Sequence, residues 1–363
     1  MLLSKDFDVS VVEEHAAVGR PLQCAGLVSP QTIDGVTKDS VLQVIKDFTL
    51  HSPAGERLEL HARDPKGVVI DRRLFDAALA GRASELGAHF RLKTRISRIK
   101  VDREAVTLGF RSDHRNGEIK SLLVVGADGP GSVVRSHVTK EPFGILYRGA
   151  QIEGSDRLND DGVVEMWIGD RVAPGFFAWK IPTGGSVRVG LCTRSDDSPV
   201  SLLKAFGRRH FPDLKIADKQ SGLIPVGQIG RLVAGRLALI GDAGGQTKPI
   251  TGGGIFLGKR ASELLAEAVI VKGACPEALG AYEKLYRDEF ASEISRAWLI
   301  RKVINRLSDK KLDRAIRILG DDKIVRIFEE AGDIDNPAGL SSAILKKAPK
   351  LLQFAPALLK SFR

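Results

Sequence analysis

The chain has 363 residues, 43% of them hydrophobic and 28% charged, which is the composition of a globular protein. Its 55 Lys and Arg against 45 Asp and Glu give a net charge of +10, so we expect anionic partners. The 3 cysteines, which lack metal-ligand spacing, indicate a reducing, cytoplasmic compartment. Because no uncharged apolar segment reaches the ~18 residues of a membrane span, secreted and membrane-spanning proteins are not expected.

The first predicted element is a strand over residues 7–13 that ends in the acid Glu13. In a dinucleotide-binding βαβ unit, an acid at this place binds the adenosine ribose, and a glycine-rich phosphate loop lies ~20 residues earlier. Glu14 could bind the ribose in place of Glu13. The alternative without a binding role is that Glu13 is an ordinary solvated carboxylate at the end of a strand. Because counting back from Glu13 passes Met1, we expect that strand and loop to precede this sequence, and the chain alone to retain its dinucleotide poorly.

The elements that follow predict a mixed α/β chain. Between about residues 140 and 235, short alternating runs predict an antiparallel sheet inserted into an α/β domain. A long helix starts near Gly254, and residues 277–328 are helical throughout. The other predictions are, in chain order, an irregular stretch at Gly19–Pro30, a strand pair over 41–60 with its turn at Pro53–Gly55, a helix over 72–87, strands over 89–101, 105–111 and 119–127, and one helix over 200–210.

Two glycine-rich turns carry candidate binding residues. In VVGADGPGSVVR, residues 124–135, a strand delivers Asp128 to a turn, and Ser132 is placed to cap the following helix. In LALIGDAGGQTKPITGGGI, residues 237–255, the glycine clusters precede the long helix. Backbone N–H groups at such a helix start form an anion site, and Asp242 is placed to accept a hydrogen bond from a ribityl or ribose hydroxyl.

These motifs, in this order, resemble the glutathione-reductase-type FAD-binding fold of the aromatic-hydroxylase branch, an α/β fold with an inserted antiparallel-sheet substrate domain and a helical C-terminal region. VGRPLQCAG at residues 18–26 and TKPITGGGI at residues 247–255 resemble the geranylgeranyl reductase family, especially its archaeal digeranylgeranylglycerophospholipid reductases. PGFFAWKIP at residues 174–182 is similar to the family's P-x-x-Y-x-W-x-F-P substrate motif, with Phe177 for Tyr and Ile181 for Phe. The resemblance covers essentially the whole chain.

The resemblance implies FAD as cofactor and three regions. A discontinuous FAD-binding domain would comprise residues 1–139 and 236–275, a β-sheet substrate domain residues 140–235, and a helical, basic region residues 276–363. It also implies site residues in this chain. These are Glu13 at the adenosine ribose, Ile96 at the adenine, Arg72 toward the pyrophosphate, Asp242 at the ribityl chain, Cys24, Ala25, Gly26, Gly254 and Ile255 beside the flavin, and Phe177, Trp179 and Pro182 along the isoprenoid substrate.

The implied reaction is the FAD-dependent saturation of C=C bonds in geranylgeranyl chains of an archaeal-type phospholipid. The flavin delivers a hydride to one carbon of the double bond, and a nearby acid or water protonates the other. Cys24 is the one candidate side chain for this acid. No metal site is expected. The electron donor would be a ferredoxin or a reduced nicotinamide. The alternatives are a flavin monooxygenase acting on an aromatic or polyprenyl compound and a non-catalytic lipid-binding protein. With only 6% aromatic residues and no stacking motif, nucleic acid is not expected as a partner.

The C-terminal part is strongly basic. Residues 296–363 carry 15 Lys and Arg against 8 Asp and Glu, a net +7. Over residues 341–363, leucines and phenylalanines lie among lysines, a pattern typical of segments that bind anionic membranes. The alternative is a helix packed on the protein body with a solvated lysine face. With a lipid substrate, we expect peripheral contact at the inner surface of the cytoplasmic membrane.

Overall fold

The structure is a computed structural model that describes residues 3, 6–113, 115–155, 161–194 and 196–354. Its strands form one sheet of seven strands and four sheets of two or three. The strands are β1 Ser10–Val12, β2 Leu27–Val28, β3 Val41–Ile45, β4 Asp47–His51, β5 Arg57–His61, β6 Gly67–Ile70, β7 His89–Arg91, β8 Thr94–Val101, β9 Val106–Ser112, β10 Asn116–Ser121, β11 Val124–Gly126, β12 Ile145–Ser155, β13 Val163–Trp167, β14 Ala178–Pro182, β15 Val187–Thr193, β16 Lys215–Val226, β17 Val233–Ala234 and β18 Leu237–Leu239.

The large sheet has the strand order β16-β12-β15-β14-β13-β4-β5. Its neighbours are antiparallel except β13 and β4, which run parallel. The predicted antiparallel sheet between residues 140 and 235 is thus present, but it also takes β4 and β5 from the first part of the chain. The proposed domain boundaries stay a prediction, and any such division has to place β4 and β5 with this sheet.

The helices pack around the sheets, and the two longest form the largest hydrophobic cluster. Tyr282 and Tyr286 are fully buried between them, and the Tyr282 hydroxyl donates a hydrogen bond to the Leu239 carbonyl at 2.8 Å. No helix of the described residues is long and apolar enough to cross a bilayer. The helices are α1 Arg72–Glu85, α2 Arg135–Val138, α3 Pro199–His210, α4 Ile255–Lys272, α5 Pro276–Ile304, α6 Asp309–Leu319, α7 Asp322–Ala331 and α8 Ser341–Lys347.

The small sheets direct loops toward one side of the molecule. β1 pairs in parallel with β7, and β11 pairs in parallel with β18, so the loops after β11 and β18 leave at the same edge. The sequence predicted one strand over residues 119–127. The structure has two, β10 and β11, because the chain bends where the Ser121 hydroxyl donates to the Leu123 carbonyl at 2.6 Å.

The face of the large sheet that lies away from the site holds a buried charge cluster. Lys180, fully buried, forms ion pairs with Glu165 at 2.9 Å and with Asp161 at 2.8 Å. Glu165 Oε2 also lies 2.6 Å from His51 Nε2, and the His51 ring stacks on Trp167 with centroids 4.5 Å apart. Burial raises the pKa of Glu165, but the hydrogen bonds from His51 and Lys180 outweigh it and lower that pKa to about 2.

Candidate active site

The described residues enclose a cavity of about 1740 Å³ at the junction of the small sheets, the large sheet and the C-terminal helices. A site for one small molecule is typically ~300–1,000 Å³, so this cavity has room for a large cofactor and a second ligand. The cavity has three parts, which we call the loop side, the aromatic wall and the apolar lobe. The loop side lies at the ends of β11 and β18, and the apolar lobe lies under α6 and α7.

The loop side includes Cys24, Ala25 and Gly26, which precede β2. Gly26 has a φ of +78°, and a Cβ there would lie 2.3 Å from the buried Arg188 guanidinium, so only glycine fits. Arg188 Nη1 donates hydrogen bonds to the carbonyls of Ala25 and Ile70, each at 3.0 Å. A buried cation of the large sheet thereby fixes the loop against the end of β6.

Asp242 and Arg72 supply opposite charges on the loop side. The Asp242 carboxylate makes no hydrogen bond with any residue that the structure describes, and burial raises its pKa to about 6 although Arg72 lowers it. Burial lowers the pKa of Arg72, but the nearby groups of Cys24 and Asp76 outweigh that effect and the pKa is raised. Arg72 Nη2 donates to Asp76 Oδ2 at 2.9 Å.

The residues of the loop side fit FAD. The Asp242 carboxylate can accept a hydrogen bond from a ribityl hydroxyl, which would give this partly buried group a partner. A Cβ at Gly254 would lie 3.2 Å from Asp242 Oδ1, so glycine keeps the turn before α4 close to that carboxylate. Backbone N–H groups at the start of the 18-residue helix α4 favour negative charge on a bound ligand.

The aromatic wall faces the loop side from the large sheet. Phe177 stacks on Phe176 with ring centroids 4.4 Å apart, and Trp179 meets Phe177 edge to face at 6.1 Å. The Arg301 guanidinium lies 4.5 Å from the centre of the Phe176 ring and donates to the carbonyls of Pro249 and Ile250. Burial lowers the pKa of Arg301 to about 10.

The apolar lobe lies between one face of the large sheet and the amphipathic helices α6 and α7. Side chains alternate along a strand, so the cavity receives Val164 and Met166 of β13 while Glu165 points to the charge cluster. The lobe is lined by apolar side chains of both layers, which are Phe48, Leu50, Leu60, Val164, Met166, Ile168, Ile181, Leu307, Leu312, Ala315, Ile316, Leu319 and Phe328.

The structure brings together most, but not all, of the residues predicted from sequence. Glu13 does not line the cavity; its Oε1 accepts hydrogen bonds from the backbone N–H and ring of His15. Ile96 packs in another cluster, and Pro182 ends β14. The roles of all the predicted site residues stay predictions. The predicted residues that do line the cavity are Cys24, Ala25, Gly26, Arg72, Phe177, Trp179, Asp242, Gly254 and Ile255.

The turn at residues 124–135 has a capping role. The Ser132 hydroxyl accepts the backbone N–H of Arg135, the first residue of α2, at 2.9 Å, and Asp128 Oδ2 accepts that of Val133 at 2.8 Å. The N-cap position of α2 is Val134, not Ser132 as predicted. Sequence reasoning missed Gln151, Gln220 and Arg301, which also line the cavity. Since no local motif marks them, only their positions in the folded chain reveal them.

The comparisons with known proteins agree with this geometry. The chain matches the FAD binding domain family over residues 11–287. It is 31% identical to the digeranylgeranylglycerophospholipid reductase of Methanothrix thermoacetophila over 96% of this chain and 92% of that protein. The chain belongs to the digeranylgeranylglycerophospholipid reductase family. It is therefore an FAD-dependent oxidoreductase, and the family predicted from the motifs is confirmed.

Solved structures confirm the fold of this family member. A geranylgeranyl bacteriochlorophyll reductase-like protein of Thermoplasma acidophilum superposes with a TM-score of 0.83 at 20% identity, covering 97% of this chain and 93% of that one. The p-nitrophenol 4-monooxygenase of Pseudomonas putida superposes with a TM-score of 0.67 at 17% identity, covering 90% and 92%. The predicted FAD-binding fold of the aromatic-hydroxylase branch is thus correct.

Proposed function

We propose that this protein reduces the C=C bonds of geranylgeranyl chains on a digeranylgeranylglycerophospholipid. The observation that carries the proposal is the continuity of one cavity from the FAD-type loops to the apolar lobe. A long isoprenoid chain would bury its apolar surface in that lobe while one of its double bonds lies at the aromatic wall. The relatives named as reductases of this lipid support the same substrate.

Each part of the cavity has a task in this reaction. FAD, when bound, supplies the hydride that adds to one carbon of the double bond. Asp242 and Arg72 hold the cofactor by hydrogen bonding and charge, and the apolar lobe excludes water around the chain. Phe177 and Trp179 flank the reacting segment. Their packing fixes its distance from the loop side, and a positioned reactant lowers the barrier.

The second carbon of the double bond needs a proton, and we propose the Cys24 thiol as its donor. Cys24 lines the cavity beside Arg72, and its Sγ accepts the backbone N–H of Gly26 at 3.3 Å. Cys24→Ala should lower the rate of saturation by about 10²-fold or more, while Cys24→Ser should retain part of it. Cys275→Ala, which removes a cysteine outside the cavity, is the control. An unchanged rate in Cys24→Ala would assign the proton to water.

The direct test is an anaerobic assay with FAD in excess and geranylgeranyl phospholipid. A reduced ferredoxin and a reduced nicotinamide serve as electron donors in separate arms, since either fits the proposal. Mass spectrometry should show two hydrogens added for each double bond. Oxygen consumption coupled to a hydroxylated product would instead identify a monooxygenase. Lipid binding without turnover in any arm would leave a lipid-binding protein.

We also propose that the C-terminal segment contacts the membrane. Ile344, Ala348 and Phe354 are buried against the rest of the chain, as expected for a helix packed on the body. Leu345 and Leu352 are exposed at 37% and 56%, and exposed lysines lie beside them. Residues 355–363, the end of the predicted membrane segment, lie outside the described residues.

Vesicle binding tests this contact. The triple variant Lys346→Glu, Lys347→Glu and Lys350→Glu should lose binding to vesicles that contain anionic phospholipid, because each lysine near such a surface contributes about 1 kcal/mol. The control is the double variant Lys100→Glu and Lys120→Glu, which reverses the charge of two exposed lysines on the small sheet β8–β10. Equal binding by both variants would place the membrane contact elsewhere.

A further inference from the structure

One buried amide joins the aromatic wall to the loop side. Gln151, only 5% exposed, extends from β12 into the cavity. Its Oε1 accepts a hydrogen bond from Trp179 Nε1 at 2.9 Å. Its Nε2 donates to the Cys24 carbonyl at 3.4 Å and to Gln220 Oε1 at 3.0 Å. A single side chain therefore touches the substrate motif and the cofactor loop.

The chemistry of the partners fixes the orientation of this amide. The indole N–H of Trp179 can only donate, and the Cys24 carbonyl can only accept. The Gln151 oxygen must therefore face Trp179, and its nitrogen must face Cys24. No acidic, basic or hydroxyl side chain of similar length offers one acceptor and two donors in this geometry.

Gly190 also restricts the position of the Trp179 indole. A Cβ at Gly190 would lie 2.5 Å from Trp179 Cζ2, so the indole rests against the bare backbone of β15. With its ring plane set by Gly190 and its nitrogen by Gln151, the indole has one position. Because Gln151 also bonds the Cys24 carbonyl, the distance between indole and loop is set by the same side chain.

We propose that Gln151 is a positioning residue that sets which isoprenoid carbons face the flavin, and so how completely each chain is reduced. This inference rests on the proposed function. Phe177 and Trp179 would flank the reacting segment, whereas Gln151 holds Trp179 at its fixed distance from Cys24. A change in that distance shifts the register of the chain against the cofactor. Double bonds then pass the flavin without being reduced.

Three variants separate the contacts of Gln151. Gln151→Glu keeps an acceptor for Trp179 but places a carboxylate against the Cys24 carbonyl and Gln220. Gln151→Leu removes all three hydrogen bonds. Gln220→Leu is the control, because it leaves Gln151 bonded to Trp179 and Cys24.

Two readouts need neither FAD nor activity. The first is the rate at which a thiol reagent labels Cys24 in a Cys275→Ser background, where Cys192 is buried at 1% exposure. We expect Gln151→Glu and Gln151→Leu to raise this rate about tenfold, the effect of losing one ordinary hydrogen bond on loop opening. The second readout is the fluorescence emission of Trp179, obtained by subtracting the spectrum of the matching Trp179→Phe variant. This emission should change in Gln151→Leu and stay as in the wild type in Gln151→Glu.

The product pattern then tests specificity. At equal substrate consumption, Gln151→Glu should release a larger share of partly reduced lipid than the wild type or Gln220→Leu. Wild-type labelling of Cys24 in Gln151→Glu would overturn the positioning role. Changed labelling with a wild-type product pattern would overturn the link to specificity. If the wild type reduces no lipid, the proposed function fails, while labelling and emission still decide whether Gln151 positions the loop.

Discussion

Asp242→Asn should stabilise the cofactor-free protein and weaken FAD binding. Burial raises the pKa of Asp242 from 3.8 to about 6. The folded protein therefore keeps a proton between these pH values that the unfolded chain has lost, and stability falls as pH rises through this window. The difference corresponds to at most about 3 kcal/mol above pH 6. Asparagine carries no such charge, so the variant should gain up to that amount at pH 7 and little at pH 3.5.

The assay is urea unfolding at both pH values, followed by FAD titration at pH 7. Because a hydrogen bond to a charged acceptor contributes about 1.5–3 kcal/mol, FAD affinity of Asp242→Asn should fall about 10- to 100-fold. Glu267→Gln removes the same formal charge from a side chain that is 55% exposed at the cavity rim, and is the control. Equal stability of Asp242→Asn and wild type at pH 7 would refute the reasoning.

Three further predictions follow from packing and charge. Gly190→Ala should push the Trp179 indole aside and cost about 1–3 kcal/mol, measured by unfolding and by indole emission, since its Cβ would lie 2.5 Å from the ring. Glu165→Gln should destabilise the folded protein at pH 7, because it removes the carboxylate whose ionised form His51 and Lys180 stabilise. Urea unfolding should show the difference in stability from wild type vanish as the pH falls from 4.5 toward 2. Ala315→Phe should fill the apolar lobe and raise the KM for lipid, with FAD affinity unchanged in a titration.

Local sequence patterns predicted those helices and strands whose own apolar side chains repeat with the period of the element. Helix α1 begins at the predicted residue and ends two residues before the predicted end, and α4 begins one residue after Gly254. Strands β13, β14 and β15 lie between residues 140 and 235, where alternating runs predicted an antiparallel sheet. Strands β12 and β16 were not predicted. β16 is largely exposed and has no clean alternation; it becomes a strand because it pairs with β12 over eleven residues. β12 contains Gly149, where a Cβ would lie 2.8 Å from Cys192 Sγ. In a sequence such a glycine suggests a turn, but here it allows two neighbouring strands to pack closely.

The same distinction holds for the site. Asp242, Gly254 and Cys24 lie in short motifs with a recognisable order, and the structure brings them to one cavity. Gln151 and Arg301 lie in no motif. Arg301 reaches the carbonyls before the glycine cluster across 52 residues of chain, and the register of β12 against its neighbours aims Gln151 into the cavity. Such roles depend on long-range packing that a local pattern does not encode.

The apolar lobe and the cofactor side are built from different stretches of chain. α6 and α7 supply one wall of the lobe, whereas the turn before α4 and the loop before β2 supply the cofactor side. Residues inside α6 and α7 can therefore change in size without disturbing the residues that we propose to hold FAD. Selection for shorter or longer hydrocarbon chains can act on these two helices alone. Among relatives adapted to different lipids, we expect these helices to diverge while the turn before α4 stays constant.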